Sequence, residues 1–149
     1  MKQVEMIASG KNFASINVGK LNELNQHVLE LGPDMKIPGK VFVGGALKTT
    51  GAEMSLNRIE AGSGVAFLHT HKTHEELYII VSGEGQFQVD GEIFPIIEGS
   101  VVRVSPNGRR SIRNTGKEPM IMICVQYKSG TFSAQDAQDA DILGDEVKW

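Results

Sequence analysis

A chain of 149 residues with a net charge of −3 is the size of one domain, and at that length folding buries roughly 68–70% of the surface the unfolded chain exposes, so no covalent staple is needed. The single cysteine, Cys124 inside the apolar run 120–125, excludes a disulfide framework, a zinc finger and a redox pair, and reads as a small buried core residue. No stretch approaches the ~18 apolar residues of a membrane span, no apolar h-region follows the N-terminus, and no basic stripe with interleaved aromatics marks a nucleic-acid surface. The expectation is a cytoplasmic protein whose ligand is a small molecule, with neither nucleic acid nor membrane as a partner.

In chain order, residues 1–40 form an N-terminal extension. Within it Leu21, Leu24, Val28 and Leu31 recur three or four apart and Gly32-Pro33 supplies a stop, which predicts one amphipathic helix over about 20–31. His27 lies beside that stripe and reads as a surface or boundary residue. From about residue 41 to 128 the texture changes to short apolar runs, KVFVGGAL, EMSLNRI, VAFLH, ELYIIV, QFQV, EIFPII, VVRV, RRSIRN and PMIMICVQ, separated by glycine-bearing turns. Strands this short and this regularly spaced predict an all-β sandwich or barrel. Asp90-Gly91 is a two-residue hairpin signal, because a type I′ turn needs positive φ at both central positions. Residues 129–149 form a polar, acidic tail, expected to be partly ordered: from Thr131 onward five acids face Lys148 alone, a net −4 that leaves the remainder near +1.

The chemistry concentrates in residues 69–76, where three histidines and two glutamates fall within eight positions. Two histidines separated by one residue on an extended strand point to the same side, so His69 and His71 can converge on one point, as imidazole ligands of a transition metal do. Phe67 shares their face and predicts an apolar floor. After a turn at Lys72-Thr73-His74, Glu76 opens the strand face shared with Tyr78 and Ile80, which offers a carboxylate from an adjacent strand.

The pattern His69-x-His71-x4-Glu76-x6-Gly83 resembles the first motif of the cupin superfamily residue by residue. The segment 99–119 is similar to the second motif, with Gly99, Pro106, Gly108 and Asn114 in outline, but its histidine is missing and the segment is one residue short. Strand parity places Arg110, Ile112 and Asn114 on one face, so burial of Ile112 turns Arg110 inward, where the family's fourth ligand stands. Guanidinium has five donors and no lone pair to give.

The resemblance implies a small single-domain cupin, a double-stranded β-helix or jelly-roll barrel over residues 41–128. It further implies a divalent transition metal, Fe, Mn, Zn or Ni, held by His69, His71 and Glu76, and oxygenase or sugar-phosphate isomerase chemistry on a small polar, anionic substrate. A homodimer follows by the same analogy. Arg110, Gln126 and Tyr78 are the candidate substrate contacts; no catalytic residue can be assigned, since only His74 and Glu75 stand near as bases. Two readings of Arg110 stay open: it grips an anionic group of the substrate beside a bound metal, or it pairs with Glu76 in a metal-free barrel that binds or senses a ligand without catalysis. One of Asn57 and Arg58, adjacent on a strand, also faces inward.

Overall fold

The computed structural model describes residues 2–33 and 35–149. The extension begins with a hairpin, β1 (Glu5–Ser9) and β2 (Ala14–Asn17), followed by a 3₁₀ turn at Leu21–Gln26 and a second small hairpin, β3 (Val28–Glu30) and β4 (Lys36–Pro38). The barrel then runs through β5 (Lys40–Phe42), a single helical turn α1 (Gly44–Leu47), β6 (Ala52–Ile59), β7 (His74–Ser82), β8 (Glu84–Val89), β9 (Glu92–Ile97), β10 (Val101–Val104), β11 (Arg110–Asn114) and β12 (Met120–Lys128).

All pairings are antiparallel. A five-stranded sheet in the order β10-β7-β12-β6-β5 faces a three-stranded sheet in the order β11-β8-β9. Strict alternation drives this arrangement: Tyr78 and Ile80 on β7, Phe87 on β8, Ile96 on β9, Ile112 on β11, and Met120, Met122 and Cys124 on β12 are all buried and form one core between the sheets. The architecture is the all-β jelly-roll barrel expected. Gly83 ends β7 at φ +89, and an added Cβ there would lie 2.8 Å from the Cα of Met120, so this glycine permits the close approach that starts β12. The Asp90-Gly91 turn takes φ 52 and 93, the positive pair of a type I′ hairpin.

Four expectations fail locally. The helix foreseen over 20–31 is a 3₁₀ turn only as far as Gln26, and Val28–Glu30 is strand. Leu21 and Leu24, three apart, suit a three-residue turn, while β-branched Val28 continues into a ladder with β4 that satisfies its backbone. His27, at the break, is buried rather than at the surface, and its Nε2 lies 2.9 Å from the carbonyl oxygen of Val18. GGAL is helical instead of extending β5. The VAFLH segment bridges β11 only at Gly64 and His69 instead of pairing along its length. The tail is exposed, with one 3₁₀ turn at Asp136–Gln138. Among the described residues no helix is long and apolar enough to cross a membrane.

Phe87 is fully buried, with ring centroids of Tyr78 and Phe94 at 4.8 and 5.8 Å. Phe87→Ala is expected to cost about 3–5 kcal/mol through the cavity it leaves; chemical denaturation reads this, and a loss under about 1 kcal/mol would show that the two sheets do not depend on it.

Candidate functional site

One cavity of about 490 Å³ opens into the barrel. Its deep end is polar. Glu76, near the start of β7, is 3% exposed and is met from three other parts of the fold. The loop before β7 brings His71, whose Nε2 stands 3.2 Å from Glu76 Oε1, and His69, whose Nε2 stands 3.8 Å from Oε2. From β11, Arg110 places its Nε 3.2 Å from Oε2. From β12, Cys124 Sγ lies 3.5 Å from Oε1, and within β7 itself the Tyr78 hydroxyl donates to Oε2.

The loop is held in place by backbone bonds. His69 and Arg110 exchange a pair, N–H to O at 3.3 and 3.1 Å, and the His71 N–H donates to Pro106 O at 2.9 Å. The His69, His71 and Glu76 ligand atoms lie within 4.8 Å of one another, so this cluster could hold a metal ion. The donor set fits one. His71 Nε2 and His69 Nδ1 are buried with no hydrogen-bond partner, a costly condition that coordination or a bound ligand relieves.

Burial lowers the pKa of His71 below its ordinary 6.5, and the nearby Arg110 and His69 lower it further against the attraction of Glu76; the ring is neutral at neutral pH, as a metal ligand must be. Burial alone would push Glu76 up, but His69, Tyr78, His71 and Arg110 outweigh it and hold the carboxyl at about 2. Burial, and then Glu76, raises Tyr78 and drives the Cys124 thiol up to about 12. Both therefore stay protonated beside the carboxylate.

Arg110 is fully buried, but its fork is engaged: Nη1 donates to Gly108 O at 3.0 Å and Pro106 O at 3.3 Å, and Nη2 to Ser105 O at 3.4 Å. Only Nε is turned to Glu76. Tyr78 lines the cavity through a hydroxyl committed to Glu76, and Gln126, directly across the ladder from Glu76, lines it as well. Asn57 is the inward member of its pair, with Nδ2 bonded to Ser55 and to the Met122 carbonyl. Phe67 is 53% exposed, edge-on to His69 at 5.9 Å, at the mouth rather than the floor. His74 is exposed, and Glu75 is turned away from the cavity to Tyr127, Ser129 and Arg103. Lys40, which the motifs above do not include, also lines the cavity from β5; its place two residues before Phe42 on an alternating strand is the sequence signal for it.

Because the folded-state pKa of Glu76 lies below its ordinary 4.5, its ionised form contributes stability that is fully present above that value and lost as pH falls through about 2. Denaturation at descending pH is therefore expected to give a steeper acid loss for the wild type than for Glu76→Gln. Equal slopes between those limits would mean that Glu76 titrates as an exposed carboxyl does.

The cupin domain family model matches residues 55–126, which contain His69, His71, Glu76, Arg110 and Gln126. A cupin protein of known structure from Bacteroides fragilis is 33% identical and superposes with a TM-score of 0.67, covering 77% of this chain and 99% of its own. An uncharacterized protein of Methanocaldococcus jannaschii is 35% identical over 60 residues, 40% of this chain and 48% of that protein. An oxalate-binding protein of Thermotoga maritima is 35% identical over 68 residues, 46% of this chain and 55% of that protein. The chain thus spans about half the length of these two curated relatives. With the barrel, the first-motif spacing and a relative covered almost end to end, the chain belongs to the cupin superfamily.

Proposed function

We propose that this cupin holds one divalent transition metal, Fe, Mn, Zn or Ni, through His69, His71 and Glu76, and acts there on a small anionic ligand. The observation that carries the reading is the buried, partnerless Nε2 of His71 at 3.2 Å from Glu76 Oε1. A bound ion would supply a Lewis-acid centre with open positions for ligand oxygens, the class that includes oxygenase and sugar-phosphate isomerase chemistry.

The chain's own residues set the conditions around that centre. Tyr78 donates to Oε2 of Glu76 and so fixes the carboxylate's rotation, leaving Oε1 toward His71. Arg110 neutralises Glu76, so a divalent ion in this pocket would leave about two uncompensated positive charges in a low-dielectric interior, and an anionic ligand completes the balance. The oxalate-binding relative supports an anion in this role. Gln126, across from Glu76, presents an amide to the same space.

The second reading, a non-catalytic binding or sensor protein with a metal-free barrel, is favoured by the 3.2 Å approach of Arg110 Nε to Glu76, since a fixed cation there disfavours a divalent ion.

Metal analysis of protein purified without an affinity tag separates the two. About one equivalent of a transition metal is expected, with uptake lost in His71→Ala and strengthened in Arg110→His, which removes a charge and adds a ligand. Less than about a tenth of an equivalent, with none taken up on addition, selects the metal-free reading.

A further inference from the structure

The wall of the cavity differs in character from its deep end. On the way out the lining is supplied by Leu29, Ile37, Phe42, Val65, Ile112 and Met122, from strands of the extension and from both sheets. Two of the polar side chains along it are already engaged. Both amide hydrogens of Asn57 are directed at Ser55 and the Met122 carbonyl, and the Ser111 hydroxyl donates to Val65 O at 2.7 Å.

Lys40 brings a charge to this wall. It is half-buried on β5, opposite Asn57, with Nζ 5.0 Å from the centroid of the Phe42 ring, and its charge is felt at the Cys124 thiol inside the barrel. Among the described residues it has no carboxylate within 4.0 Å, whereas the neighbouring cations Lys36 and Arg58 are paired with Glu30 and Glu60. An ammonium stacked on an aromatic face is held in place without being neutralised, and over an apolar wall it has every reason to take an anion.

We propose that Lys40, and not the fork of Arg110, is the residue that binds the anionic group of the ligand along the wall, and that the ligand is an amphipathic acid: an apolar or aromatic body bearing a carboxylate. The proposal rests on the reading of this cavity as a small-molecule site. It narrows that reading against polyols, because a sugar phosphate would lay many hydroxyls against a largely apolar wall. Lys40 lies outside the segment matched by the family model, at the start of β5.

Calorimetric titration of the purified full-length protein with 3-phenylpropionate, 3-phenylpropanol, oxalate and glucose 6-phosphate tests it, each run with and without added metal. Binding of 3-phenylpropionate in preference to the other three is expected, weakened about tenfold or more in Lys40→Met and restored in Lys40→Arg. Thermal melts and metal uptake of both variants should match the wild type, which separates loss of the anchor from loss of the fold. Tighter binding of oxalate or glucose 6-phosphate, no binding of any probe, or unchanged affinity in Lys40→Met would each overturn the proposal. Failure of the metal reading shows separately, as absent metal uptake with 3-phenylpropionate still bound through Lys40.

Discussion

The barrel is organised around one buried carboxylate. Taking an ionised Glu76 out of water costs several kcal/mol unless its oxygens are compensated, and here the compensating groups come from separate parts of the fold: the Tyr78 hydroxyl on the same strand and the Cys124 thiol on β12 donate to it, while Arg110 from the facing sheet and His71 from the preceding loop stand 3.2 Å away. The sheets cannot slide past each other without breaking part of this set. Arg110 carries the constraint further, because the Pro106 carbonyl that accepts from its Nη1 also accepts the His71 backbone N–H. One carbonyl therefore ties the turn before β11, the cation beside the carboxylate and the backbone of a metal-ligand candidate into a single node.

How much of this was legible in the sequence follows from the range of the forces involved. The spacing of His69, His71 and Glu76 encodes strand parity, a local property, and the structure does bring these side chains together. Parity also turned Arg110 inward. Where its head would go was not readable, because three backbone carbonyls of residues 105–108 capture the guanidinium, and a turn's carbonyl directions are not written in its side chains. The extension was the least legible part. Leu21, Leu24 and Val28 satisfy a helical period as well as they satisfy a 3₁₀ turn followed by a strand, and only the pairing of β3 with β4 decides between them. The β1–β2 hairpin carries no buried side on β1 at all, so it left no alternation to find.

The displaced role of Arg110 changes the electrostatics of the pocket more than its composition. On the reading proposed above, its fork is spent on carbonyls and the residue acts through fixed charge, which does not discriminate ligand shape. Shape selection then falls to the wall, and the wall is built in large part by β3, β4 and β5, which lie outside the family-matched segment. The division is physically sensible: the deep end is over-determined by mutual contacts among charged groups and tolerates little change, whereas the strands at the mouth meet few of those constraints.

That division also bears on the surroundings of Glu76, which is 3% exposed while the side chains of His69 and His71 keep 33% and 24%. The apolar lining contributed by Leu29, Ile37 and Phe42 leaves water few polar partners on the path to Glu76, and each excluded water raises the strength of the charge interactions behind it. The same enclosure that lets Arg110, His71 and Tyr78 hold Glu76 ionised against its burial makes any uncompensated positive charge there expensive. On the reading proposed above, a ligand of this cavity therefore sets apolar surface against the wall and meets Lys40 with its negative charge before it reaches the polar cluster.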